Sequence, residues 1–197
     1  MANLDALTGL GTGDLATIAI SAIALIAAVI ANISASASKA NDNKVQARNT
    51  VNGLCVRIAE LSTQIQVFRV EQQGTSNLAL YNTKINATVR QVVALATLAR
   101  DVLAKSGIKA AAVEYALIAD AIAMSGDPSA DALWAQAVGT ARTRHDRIDL
   151  MQRFAEYLYS VGKEARGAAA YGDARAAMGP EATPFEIGRN LQMEATA

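Results

Sequence analysis

The stretch Ala47–Phe68, ARNTVNGLCVRIAELSTQIQVF, decides how this chain folds. Its apolar residues Ala47, Val51, Leu54, Ile58, Leu61, Ile65 and Phe68 recur at alternating spacings of four and three. That rhythm sets them on one face of an α-helix over three heptads. Such a stripe needs a cover, either a second copy in a dimeric coiled coil or the next segment folded back on it. The flanking positions Cys55, Arg57, Ser62, Gln64, Arg69 and Glu71 offer few opposite charges to specify a dimer. An antiparallel hairpin is therefore the favoured reading. In the alternative, Val51, Leu54, Ile58, Leu61, Ile65 and Phe68 form the seam of a homo-oligomer.

On the C-terminal side, Gly74-Thr75-Ser76-Asn77 combines a break with helix-start chemistry. A second stripe follows in Leu78, Tyr81, Ile85, Val92, Leu95, Ala99 and Val102, widened by Val89, Val93 and Leu103 and ended by Gly107. Residues 37–106 thus read as one amphipathic hairpin. Residues 107–178 read as a bundle of four short helices, 108–124, 129–143, 147–161 and 164–178. They are separated at Gly126-Asp127-Pro128, His145-Asp146 and Gly162, with Asp127 and Asp146 as helix starts. Short loops make neighbouring helices antiparallel. The remainder, 179–197, holds Pro180, Pro184 and Gly188 and few apolar residues, and reads as a flexible tail from which Phe185 and Ile187 are free to dock back. Only three prolines occur, all from Pro128 onward, and alanine, the best helix former, dominates a hydrophobic fraction of 52%. The fold class is all-α.

Within this bundle, Met151, Phe154, Ala155, Leu158 and Gly162 fall at the first-helix positions of a helical hairpin, and Gly167, Tyr171 and Ala174 at the second-helix positions, with Pro180 one residue late for a closing proline. An earlier unit runs through Tyr115, Ile118, Ala119, Ile122 and Gly126 to Trp134 and Ala137, with a one-residue shift. The pattern resembles tetratricopeptide-repeat hairpins, in which small residues mark helix contacts and large ones fill the holes between. The resemblance implies a scaffold that binds a peptide or protein partner. An ordinary helix bundle accounts for the same pattern.

On the N-terminal side, no charge interrupts Leu15 to Ser38. The apolar centre LATIAISAIALIAAVIANI, Leu15–Ile33, would span roughly 28 Å as a helix, close to the hydrocarbon thickness of a bilayer. We read residues 15–36 as a single-pass transmembrane helix. A cleaved signal peptide would need basic residues ahead of it, where only Asp5 and Asp14 stand. A helix buried in protein is the other alternative, kept open by the alanine content. Lys39, Lys44 and Arg48 follow the segment and no Lys or Arg precedes it, so the positive-inside rule puts residues 1–14 outside and the C-terminal domain in the cytoplasm. Ala24/Ala28 and Ala27/Ala31 would let two such helices approach closely.

Lys and Arg number 18 and so do Asp and Glu, which speaks against a nucleic-acid partner. The single Cys55 excludes an intrachain disulfide and a thiolate-rich metal site, and the single His145 excludes a two-histidine zinc site. No acidic run has calcium-loop spacing. Gly9, Gly11 and Gly13 lack the lysine of a phosphate loop. A catalytic reading of His145 would need Asp146 or Asp149 and a nucleophile such as Ser160, which no motif positions. No cofactor and no enzyme activity are expected. The most basic cluster, Arg142, Arg144, His145 and Arg147, is the candidate contact for a protein partner or for anionic lipid headgroups. The expected function is that of a membrane-anchored interaction or scaffold module, with a self-assembling structural component as the alternative.

Overall fold

A computed structural model of the chain describes the backbone of residues 12–73 and 78–197, and the side chains of residues 41–72 and 78–197. Seven helices follow one another: α1 (Thr12–Gln73), α2 (Leu78–Ser106), α3 (Ala112–Ala123), α4 (Ser129–Thr140), α5 (Arg144–Ser160), α6 (Glu164–Met178) and α7 (Pro184–Thr196). Among the described residues there is no strand, and the all-α class stands. Among the described residues, too, no helix is long and apolar enough to cross a membrane. The span read at Leu15–Ile33 belongs to the part of α1 whose side chains lie outside the described residues, as do Gly9 and Gly11.

The chain divides into two compact units, Met1–Gln46 and Ala47–Ala197. Of the first, the N-terminal part of α1 is described, and its residues 41–46 are exposed. The second holds the core. There α1 and α2 form an antiparallel hairpin. Gln72 Nε2 donates to Asn82 Oδ1 at 2.8 Å, and Lys84 Nζ stands 5.5 Å from the Phe68 ring and 4.9 Å from the Tyr81 ring, so the end of α1 meets the start of α2. Val51, Cys55, Ile58, Leu61 and Ile65 are buried in one cluster with Val92, Ala96, Ala99 and Leu103. The stripe's cover is the next segment of the same chain. The face that an intermolecular seam would need is thereby occupied, with Leu54 and Phe68 half-buried at its edges.

The buried line on α2 is turned by about one position from the expected stripe. It runs Thr88, Val92, Ala96, Ala99, Leu103, while Leu78 is exposed. Small residues in that line let the two backbones approach. Thr88 is tolerated there because its hydroxyl donates to the Lys84 carbonyl at 2.9 Å, so the buried oxygen keeps a partner.

The four short helices begin and end close to their expected limits, with one exchange of roles. Thr143 rather than Asp146 caps α5, accepting the Asp146 N–H at 3.0 Å. Asp127 does serve the start of α4, accepting the Ser129 N–H at 2.8 Å. The α5–α6 turn closes with Gly162 at φ 73°, where its N–H reaches the Tyr159 carbonyl and the next N–H, of Lys163, reaches Leu158. This double bond pattern ends a helix only with a left-handed residue, which glycine adopts without cost.

Hairpin α3–α4 and hairpin α5–α6 stack so that α5 packs against α3, α4 and α6, and α7 packs in turn against α5 and α6. Between the hairpins, Trp134, Phe154 and Tyr157 form a group of stacked rings with centroids 6.2–6.5 Å apart. The last segment corrects the sequence reading: residues 184–196 form a helix instead of a flexible tail. Thr183 and Glu186 make a reciprocal capping box with Pro184 at its first turn. Asn190 is fully buried, and Arg175 donates to it at 2.9 Å and also to Glu194. A few polar anchors replace the apolar density that a sequence scan looks for.

Candidate functional site

Within Ala47–Ala197, the first turn of α3, the end of α4, one face of α5 and the side of α7 enclose a cleft of about 1090 Å³. Cations reach it from five places: Arg48 on α1, Lys109 ahead of α3, Arg142 after α4, Arg153 on α5 and Arg189 on α7. Two of them are held. Arg48 grips the Glu114 carboxylate through both guanidinium nitrogens at 2.7 and 3.0 Å, and Arg153 pairs with Asp120 while lying 5.3 Å from the Trp134 ring. Burial raises the pKa of Asp120 and Arg153 works against that shift. Lys109, Arg142 and Arg189 have no ion-pair partner among the described residues. The opposing charges on the wall are Asp146 and Asp149.

The wall of the cleft includes Leu150, 7% exposed, and Gln152, 3% exposed. Among the described residues no hydrogen bond takes the Gln152 amide. It is not among the sealed, unpartnered polar atoms either, which are Trp134 Nε1, Tyr171 OH and Asn190 Nδ2. The little surface Gln152 keeps therefore carries its amide. Ala111, the residue just before α3, has no side-chain oxygen to cap the helix, and Glu114 turns back to accept the Ala111 N–H at 2.6 Å.

The basic cluster read from the sequence is dispersed by the fold. Arg142 lines the cleft. Arg144 turns away, its Nε donating to the Ala177 carbonyl at 2.8 Å near the end of α6, where a cation complements the helix dipole. His145 is exposed, with Nε2 3.7 Å from Asp149 Oδ2, and Arg147 is exposed. Ser160 lies at the opposite end of α5 from His145, about 22 Å along a helix of that length, and donates to the Tyr157 carbonyl at 2.7 Å. The geometry does not bring the hydroxyl to the imidazole. Among the described residues no group of three or more His, Cys, Asp or Glu is placed to hold a metal ion.

Cys55 is a core residue in the hairpin. Burial pushes its thiol up to about 11, the Glu114 carboxylate adds to that, and Arg48 opposes it. A thiol so protonated is a poor nucleophile. The second electrostatic centre is structural too. Asp131 on α4 accepts from Tyr157 OH at 2.7 Å, from Lys163 Nζ at 2.8 Å and from Arg166 at 2.7 Å. Burial alone would raise its pKa, but the hydrogen bonds from Lys163, Tyr157 and Arg166 outweigh it and hold the group down to about 2. Tyr157 rises to about 12, through burial and then through Asp131.

Sequence reading named Arg142 but missed Lys109, Gln152, Arg153 and Arg189. Only Gln152 left a signal: it precedes Ala155 by one helical turn, a polar residue on the apolar face of α5. The other three join the cleft through the placing of α3 and α7. No known protein family, no curated protein and no solved structure matches the chain.

Proposed function

We propose that the chain is a membrane-tethered interaction module, anchored by residues 15–36 and displaying the stacked hairpins of its C-terminal unit to a protein partner. The observation that carries this reading is the pairing of a closed interior with an uncovered apolar face. Ala155, Leu158, Tyr171 and Ala174 are 0–1% exposed and Gly167 is buried, the burial expected if α3–α4 and α5–α6 are tetratricopeptide-like units with α7 as the terminal helix. On α7, by contrast, Ile187 is 40% and Leu191 49% exposed, one helical turn apart on one face, and Phe185 at the start of the helix is 78% exposed. Large apolar side chains left outside an otherwise satisfied bundle suit a protein contact. The Glu186 carboxyl is held down by hydrogen bonds from Thr183 and, less strongly, by the exposed His145, a polar group beside the start of α7.

The anchor has a direct test. Alkaline carbonate extraction is expected to leave the full chain in the membrane pellet and to release a variant lacking 15–33. Release of both would overturn the tether. External protease on intact cells should leave the C-terminal unit undigested, as a cytoplasmic position requires. For the partner, a photo-crosslinking residue at Ile187 or Leu191 is expected to give discrete adducts that the same residue at Glu60 does not; identical patterns would sink the assignment of that face. Self-assembly is the alternative, and since α2 covers the α1 stripe it would rest on Ala24/Ala28 and Ala27/Ala31. A discrete detergent-solubilised oligomer lost on changing those alanines to leucine would favour it.

A further inference from the structure

We infer that the cleft between α3, α5 and α7 is a binding site for a single oxyanion group, a phosphate or a carboxylate, on a small ligand. Three independent features converge there. The unpaired Lys109, Arg142 and Arg189 come from three separate segments that only the fold brings together. Guanidinium groups match the geometry of a carboxylate or phosphate with two parallel hydrogen bonds. Gln152, 3% exposed, keeps its neutral amide on that small surface at the cleft wall with no hydrogen-bond partner among the described residues, so it is placed to bond a ligand oxygen. The first turn of α3, whose residues Ala112 and Val113 line the cleft, brings the positive end of its helix dipole to the same wall.

The charge count sets the size of the ligand. Five cations on the wall face two carboxylates, Asp146 and Asp149, and Glu114 and Asp120 neutralise Arg48 and Arg153, which leaves 5 − 4 = +1. So small an excess holds one oxyanion and not a long polyanion such as a nucleic acid. A volume of about 1090 Å³ is just above the usual range for small-molecule sites, so the cleft has room for the group on a drug-sized body. The oxyanion is carried either on a free metabolite or on a lipid headgroup. The cleft uses Arg189 and Met193 of α7, whereas the partner face at Ile187 and Leu191 lies on another side of that helix, and neither assignment depends on the other.

The test uses the full chain in neutral detergent, with thermal unfolding followed as sodium pyrophosphate replaces chloride at constant ionic strength. A saturable rise in Tm is expected. The double variant Arg142→Ala/Arg189→Ala, altered only at exposed positions, should weaken the apparent affinity at least tenfold. Gln152→Leu should weaken it several-fold, while Arg147→Ala, the same charge loss on α5 outside the cleft, should leave it unchanged. A second arm adds lysophosphatidic acid to the micelles, with lysophosphatidylcholine as control; saturation by the former at lower concentration assigns the oxyanion to a lipid, and a response to pyrophosphate alone assigns it to a free ligand. The inference is overturned by no response to either probe, by a response that survives the double variant, or by an acidic peptide competing more tightly than both.

Discussion

At the residue scale, Asp131 ties α4 to α5 and α6 through Tyr157, Lys163 and Arg166. Its carboxyl is held at about 2 against 3.8 in the free group, so the folded state prefers it ionised. A lowered folded pKa contributes stability that is present above pH 3.8 and is lost as pH falls toward 2. Asp131→Asn is expected to cost about 1–2 kcal/mol at pH 7, below the full linkage value because Lys163 and Arg166 are partly solvated. In denaturant melts, the gap between wild type and variant should close as pH approaches 2; a gap constant with pH would refute the ionic account. Gly167 gives a second test. Alanine normally gains about 1 kcal/mol over glycine inside a helix. Here a Cβ would stand 2.5 Å from Tyr159 Cδ2 and 2.7 Å from Cε2, on the flank of a ring that also contacts the Tyr171 ring. The clash outweighs the propensity, and Gly167→Ala should lower stability by about 1–3 kcal/mol. A gain in Tm would show that the ring moves freely.

Among the elements, the α1–α2 hairpin carries the decision between a covered stripe and an oligomer seam. Ile58 is 0% and Ile65 1% exposed within one chain. Ile58→Ala removes buried methyl groups and leaves a cavity, for about 2–5 kcal/mol. Because the covering helix belongs to the same chain, Tm of the wild type and of the variant should not change over a hundredfold range of protein concentration. A Tm that climbs with concentration would place the seam between chains. The short α7 depends on fewer contacts. Thr183→Ala removes the hydroxyl that accepts the Glu186 N–H at 3.3 Å and is expected to cost about 1 kcal/mol. Since α7 is terminal, the loss should appear as faster hydrogen exchange in residues 184–196, with the rates in α3 and α4 unchanged.

For the whole molecule, every buried side chain among the described residues lies between Val51 and Asn190, inside the unit Ala47–Ala197. A fragment 47–197 is accordingly expected to unfold cooperatively, within a few degrees of the full chain. Loss of the transition in the fragment would mean that residues before Ala47 support the core. The helices themselves could be read in advance because their determinants are local: the four-three spacing, the left-handed glycines, and the short turns at Gly126-Asp127-Pro128 and Gly162. The docking of α7 could not, since it rests on Arg175 meeting Glu194 and the buried Asn190 across the turn at Gly179. The cleft was equally hidden. Lys109 and Arg189 are 80 positions apart in the chain, and neither has a neighbour that marks it.

The sequence by itself determined an all-α chain with one long uncharged apolar segment, a heptad stripe in need of a cover and four short helices after it. Each follows from the period of a helix and from the residues that start and stop one. Only the tertiary structure decided that the stripe is covered within the chain, that the last segment is a helix, and that the basic cluster is split between a helix cap, the solvent and a cleft. Those outcomes depend on which side chains meet across helices. Such meetings are set by packing angles and by the balance of desolvation against pairing, neither of which is written in the spacing of residues along one helix.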